Sequence, residues 1–250
     1  MSAFYYLWPM AKKRTAKSKT GKFNLQKPKL MIGKVLLYFI LVSVLWVVAY
    51  RFVNPPFTLL MVIKNIERKS DGKSFKTDKQ WVDLKEMSDN MKRAAIAGED
   101  QKFVHHLGFD MAGIRAAYSA NQADSTKMKG GSTISQQTAK NVFLWPGRSW
   151  IRKGFEAYFT ILIEIFWSKQ RILEVYLNVI EMGDGIYGAE AAAQNYYGVS
   201  CRDLKRSQAA MIAACFPNPI RWTPAHPTRF IRRRHYLIMR SIRRMGPLKF

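Results

Sequence analysis

The sequence predicts a mainly α protein carried on one N-terminal transmembrane helix, and three observations predict it. An uncharged run of 16 residues, Val35 to Tyr50 (VLLYFILVSVLWVVAY), stands between Lys34 and Arg51. From Ser88 onward, apolar residues recur at helical spacing behind residues that cap helices. Alternating apolar and polar runs of the kind that form strands are few.

The apolar run is slightly short of the roughly 20 residues that cross a bilayer. Lys34 can snorkel, so Leu30–Ile32 count toward the span, as do Phe52 and Val53 beyond Arg51. Trp46 and Tyr50 suit an interfacial belt. A buried core helix would show a polar face, and this one has none. Residues 1–34 carry nine Lys/Arg and no acid, which places them in the cytoplasm and everything after about residue 53 outside. A cleaved signal peptide fits less well, because Asn54-Pro55-Pro56 follows instead of a small-residue cleavage site. The first nine residues, MSAFYYLWP, sit oddly ahead of a basic tail, and Met10 is the more natural beginning. The chain thus divides into a basic cytoplasmic tail (1–30), a transmembrane anchor (31–53), a connecting segment (54–87) and a helical domain (88–250).

Within the connecting segment, residues 64–80 are polar and lysine-rich, with a short hairpin expected at Asp71-Gly72. Ser88 or Asp89 caps a helix through MKRAAIAGED. Thr133 and Gln136 form a capping box that opens the helix TISQQTAKNVFL, which Pro146-Gly147 ends. Residues 148–167 make another helix, with Ile151, Phe155, Phe159, Leu162 and Phe166 on its apolar face. Ser168 caps a third, KQRILEVYLNVIEM. Gly183–Gly188 is a turn leading into AEAAAQNYY, and a further helix is expected behind Ser200 with Asp203 in the box position. Four prolines between 217 and 227 impose an extended stretch before a last helix ending at Gly246.

Composition allows a packed core, at 48% hydrophobic and 23% charged residues, and excludes wholesale disorder. The net charge of +24 is concentrated at the ends: residues 221–250 also carry nine Lys/Arg and no acid, while 23 bases meet all 17 acids between. Such ends bind polyanions, nucleic acid or phospholipid headgroups alike. Cys201 and Cys215 do not specify a disulfide, and two free thiols are at least as consistent with the pattern.

Three patterns mislead. Gly183-Asp184-Gly185-Ile186-Tyr187-Gly188 matches G-x-G-x-x-G, but too little chain follows for a dinucleotide fold and the preceding run has helical spacing. Ser70–Lys73, Ser88–Asn90 and Lys19–Gly21 mimic the penicillin-binding triplet in the wrong order. His105-His106 point to different faces and form no metal-ligand spacing with His226 or His235.

The carboxylates say more. Glu99-Asp100 follows Gly98 at a helix end and precedes Phe103, where an apolar setting raises a carboxylate pKa and suits it to act as a base. Glu156 lies four residues after Arg152 and three after Lys153, the spacing of helical ion pairs. Glu174 sits likewise near Arg171, with Asn178 one turn later.

Together these segments resemble the family-51 glycosyltransferases, the peptidoglycan glycosyltransferases, of the monofunctional type. Five ordered motifs between about Ser88 and Gly246 carry the resemblance: Glu99-Asp100-x-x-Phe103-x-x-His106-x-Gly108; Gly131-Ser132-Thr133-Ile134-Ser135-Gln136-Gln137; Arg152-Lys153-x-x-Glu156; Lys169-x-x-Ile172-Leu173-Glu174-x-Tyr176-Leu177-Asn178; and Gly185-Ile186-Tyr187-Gly188 through the alanines to Tyr196-Tyr197-Gly198. The resemblance implies a lysozyme-like catalytic domain over 88–250 with a smaller membrane-proximal lobe. The substrate it implies is lipid II, a disaccharide on a polyprenyl diphosphate, which is joined to a nascent glycan strand by inverting transfer to its 4-hydroxyl.

On that reading Glu99 is the catalytic base. Lys140, Arg152 and Lys153 meet the departing diphosphate, with Glu156 as a second catalytic carboxylate that holds them or a divalent cation (Mg or Mn). Asp100, Ser132, Thr133, Gln136 and Gln137 bind substrate at a helix N-terminus. Phe103, His106, Gly108, Glu174 and Asn178 support the cleft. The resemblance implies no tightly bound cofactor. It places the enzyme in the inner membrane, with the catalytic domain periplasmic, and leaves room for cell-wall synthesis or division proteins as partners, but not for nucleic acid. Two rivals stand beside it: a lytic murein hydrolase with one lysozyme-like glutamate, and a non-enzymatic, membrane-tethered polyanion binder built on the terminal helix FIRRRHYLIMRSIRRM.

Overall fold

A computed structural model describes residues 26–123, 131–147, 149–248 and 250. The basic tail up to residue 25 and the question of Met10 lie outside the described residues. The chain forms two compact units, residues 1–42 and 43–250.

The described part of the first unit is helical. Its helix, α1 (Gln26–Phe52), includes a stretch from Met31 to Phe52 that is 22 residues long and apolar enough to cross a membrane. At about 1.5 Å per residue that stretch reaches about 33 Å, matching a hydrocarbon core of about 30 Å.

The second unit is built from nine helices among the described residues, with three very short strands. Its first helix is α2 (Leu59–Ser70), in the segment read as a connector. Thr58 caps it, the buried Met61 packs it on the unit, and the expected hairpin is instead a helix end. Gly72, at φ +73°, donates to the Lys69 carbonyl while Lys73 donates to that of Arg68, the paired bonds of a Schellman cap. The lysine-rich composition hid this helix because Lys64 and Arg68, one turn apart, find their acids in Glu181 and Asp184, far along the chain.

Helix α3 (Asp89–Glu99) is capped by Ser88, as expected, and ends at Asp100. Helix α4 (Met111–Ala123) arises in a stretch for which no element was expected. Helix α5 (Ile134–Phe143) opens on the Thr133–Gln136 capping box with both reciprocal bonds present. Helices α6 (Trp150–Phe166) and α7 (Lys169–Val179) follow behind Ser149 and Ser168. Helix α7 is the centre of the core: Ile172, Leu173, Val175, Tyr176, Leu177 and Val179 are fully buried.

The third expected helix stops earlier than its apolar pattern suggests. Ile180 turns extended, and β2 (Glu181–Gly183) pairs antiparallel with β3 (Ile186–Tyr187), which also pairs in parallel with β1 (Asp78–Lys79). Gly188, at φ +85°, brings the chain against α7 so closely that a Cβ there would lie 2.9 Å from the Asn178 carbonyl oxygen. The glycine-rich run therefore serves helix packing, not a dinucleotide.

Helix α8 (Ala189–Tyr197) contributes buried alanines. Behind Ser200 there is only a single 3-10 turn, because the fully buried Leu204 pulls the chain extended before α9 (Arg206–Cys215). Cys201 and Cys215 are both buried and free. The last helix, α10 (Arg229–Arg244), lays Ile231, Ile238 and Ile242 against α3 and α9. Small residues permit the approach: Ala213 and Ile238 crowd Gly98, where a Cβ would meet the Ile238 Cδ1 at 3.2 Å.

Candidate active site

Glu99 is the last residue of α3, and three helices converge on its carboxylate. Gln137 of α5 donates from Nε2 to Oε2 at 2.8 Å. Arg234 of α10 stands 3.5 Å from Oε1. Tyr176 of α7, wholly buried, donates its hydroxyl proton to the Gln137 Oε1 at 3.4 Å and so turns the amide NH2 toward Glu99. Burial pushes the Glu99 carboxyl above its ordinary value, Asp100 adds to that, and Gln137, Arg234 and Lys140 oppose it. A carboxyl held this way accepts a proton more readily than one in water.

Through its bond to Glu99, Gln137 also links two cavities. On one side, Glu99 lines a space of about 290 Å³ with Asp100, Ser132 and Thr133. On the other, Gln137 lines a cleft of about 340 Å³ with Lys140, Asn141, Arg152 and Glu181. Burial lowers the Lys140 pKa, and the nearby Glu156 works against that shift.

Glu156 is buried on α6 and is held by both neighbours that the helical spacing predicted. Arg152 NH1 donates to Oε2 at 3.1 Å, and Lys153 binds the other oxygen. The Arg152 Nε is buried and unpartnered, a donor left over on a residue that lines the cleft. The described residues hold no group of three His, Cys, Asp or Glu side chains able to bind a metal ion. Both Glu156 oxygens are taken by the side chains of Arg152 and Lys153.

The remaining predicted residues frame the site. Asp100 accepts from the backbone N–H of Ile134 at 3.0 Å, at the N-terminus of α5, and meets His106 Nε2 at 2.9 Å. Thr133 Oγ1 donates to the Gly108 carbonyl at 2.6 Å, and the Gln136 Oε1 accepts from the Thr133 N–H. Asp100, His106, Gly108, Thr133 and Gln136 thus lock the loop after Glu99 onto the start of α5. Phe103 is buried beneath Lys169, whose Nζ lies 4.7 Å from its ring centroid. Ser132 is exposed.

Glu174 and Asn178 sit apart from this centre. Glu174 accepts from the Leu84 N–H at 3.1 Å, and Asn178 exchanges two 2.9 Å bonds with the Val82 backbone. Arg171, bound to Glu174, also donates to the carbonyls of Tyr50 and Val53.

Sequence reasoning missed Arg234, Tyr176 and Glu164. The last receives Lys169 at 2.7 Å and also the Ser135 hydroxyl, bracing α5 against α6. Tyr176 stands in the Lys169–Asn178 motif without a role being assigned to it, while Arg234 and Glu164 lie outside the five motifs.

A buried, pKa-raised carboxylate beside a cation-lined cleft, on a mainly α scaffold behind an apolar helix, is the outline of an acid–base glycosyl-transfer site. Residues 66–243 match the Transglycosylase family model, and the chain belongs to that family. Among its relatives is a protein of Stutzerimonas stutzeri (strain A1501) named biosynthetic peptidoglycan transglycosylase. It is 49% identical over 217 residues, covering 87% of this chain and 89% of the relative. A protein of Pseudomonas fluorescens (strain Pf0-1) with the same name is 51% identical over 213 residues, covering 85% of this chain and 88% of its own length. The mainly α, lysozyme-like fold class read from the sequence stands with this membership.

Proposed function

We propose that this protein is a membrane-anchored peptidoglycan glycosyltransferase that polymerises lipid II into glycan strands. Glu99 removes the proton from the 4-hydroxyl of the acceptor lipid II as that oxygen bonds to the anomeric carbon of the growing chain. The bond from that carbon to the polyprenyl diphosphate breaks on the opposite face, so configuration inverts. The proton ends on Glu99 and the negative charge on the diphosphate, where Lys140, Arg152 and Lys153 meet it. Glu156 holds Arg152 and Lys153 in position, and Gln137 holds Glu99 ionised.

One observation carries the reading: the buried Glu99 is joined through Gln137 to the cleft that Lys140 and Arg152 line. The test is glycan growth from lipid II by the purified full chain in vesicles. Glu99→Gln should abolish growth while the protein stays folded and binds substrate; near-normal turnover in that variant would sink the base assignment. Release of fragments from preformed wall, without chain growth, would instead favour the hydrolase. The polyanion-binder reading loses its main support, because α10 is packed into the domain and its Arg234 reaches Glu99.

The apolar helix and the basic tail support an inner-membrane anchor with a cytoplasmic N-terminus and a periplasmic catalytic domain, among cell-wall synthesis or division proteins. A reporter active only in the periplasm, fused after Phe250, tests that orientation.

A further inference from the structure

The cleft has a wall that none of the five sequence motifs supplies. Leu60 and Lys64, one turn apart on the same face of α2, line it together with Lys140 and Arg152. Helix α2 is fixed in place. The Asn65 side chain accepts from the Lys76 N–H at 2.9 Å, Met61 is buried, and two ion pairs one turn apart tie α2 to the β2–β3 hairpin. Those pairs are Lys64 with Glu181, at 3.2 Å, and Arg68 with Asp184, at 2.6 Å.

The two pairs are not equivalent. Asp184 is more than half exposed, and neither it nor Arg68 lines the cleft. Glu181 is 10% exposed and lines the cleft together with Lys64. A structural staple needs only the Arg68 geometry. Lys64 differs in presenting an ammonium, partly open to solvent and aimed by a buried acid, to the space that already holds two cations. Three cations and one carboxylate line that space, and even with Glu156 paired to Arg152 behind it the cations exceed the acids, which suits it to anionic oxygen.

We propose that Lys64 is a further substrate-binding residue of this site, contacting an anionic oxygen of the lipid-linked precursor, with Glu181 as its positioning partner. The inference rests on the glycosyltransferase reading above. The anionic oxygen belongs either to the diphosphate or to a carboxylate elsewhere on the precursor.

Steady-state polymerisation of lipid II by the full chain in vesicles tests it, with wild type, Lys64→Ala, Lys64→Arg and Arg68→Ala compared. Lys64→Ala raises KM about tenfold with kcat within about twofold; Lys64→Arg recovers most of the loss; Arg68→Ala, which breaks the neighbouring pair, leaves KM unchanged. Inorganic pyrophosphate as a competitive inhibitor separates the two sources. A weaker inhibition constant in Lys64→Ala assigns the contact to the diphosphate, and an unchanged constant beside a raised KM assigns it to a carboxylate. Equal KM in wild type and Lys64→Ala, or the same rise in Arg68→Ala, overturns the proposal. An inactive wild type would instead overturn the glycosyltransferase reading itself.

Discussion

Glu99 and Glu156 are both helical glutamates shielded from solvent, and their surroundings differ in kind. Glu156 has a cation on each oxygen, from residues one turn earlier on its own helix. Glu99 has a neutral amide on one oxygen and an arginine at the longer distance of 3.5 Å on the other. Burial therefore dominates at Glu99 and raises its pKa. On the proposed mechanism the same residue type serves as a base where partners are few and as a scaffold for cations where they are strong.

The largest expected effect tests the Glu99 side of this contrast. Glu99→Gln should lower polymerisation by about 10²–10⁴-fold, the range for losing a positioned acid–base group, with circular dichroism unchanged. Stability should separate the pair next. Glu156→Ala leaves Arg152 buried without its partner and should cost about 3–5 kcal/mol in denaturant unfolding. Glu99→Gln should do the opposite and raise Tm at neutral pH. A carboxyl whose folded pKa lies above its unfolded value costs stability once pH exceeds the unfolded value, so the gain should vanish below about pH 4. A fall in Tm for Glu99→Gln at pH 7 would break the comparison.

The pH profile sharpens it further. Activity needs ionised Glu99, so the acid limb of kcat/KM should fall at a pH above the ordinary glutamate value. Gln137→Ala removes the donor that favours the ionised form and should move that limb upward by up to about one unit. The smallest effect is expected from Tyr176→Phe. Freed from the hydroxyl at 3.4 Å, the Gln137 amide can flip, and the same limb should move in the same direction by a few tenths of a unit. A downward shift in either variant would reject the assigned orientation of the amide.

How much of this was legible depended on the range of the signal. The capping box at Thr133 and Gln136, the serine caps of α3 and α7, and the Arg152–Lys153–Glu156 pairing are local patterns, and each stands in the structure where the spacing put it. Helix α2 escaped notice because its charged face resembles a linker until Glu181 and Asp184 are seen opposite it. The early end of α7 was hidden because the apolar run Val179-Ile180 continues the helical pattern, while the strand pairing of Glu181–Gly183 depends on residues farther along the chain.

The sequence by itself determined the apolar helix, the capped helices α3, α5, α6 and α7, and the Arg152–Lys153–Glu156 spacing. Those follow from hydrophobic period, caps and spacings of three or four, which act within one helical turn. Only the tertiary structure decided which glutamate is left under-compensated. Gln137 and Arg234 reach Glu99 from two other helices and Tyr176 holds Gln137 from a third, and burial and charge depend on neighbours in space. It also decided that Lys64, on a stretch that reads as a linker, faces the same cleft as Lys140 and Arg152.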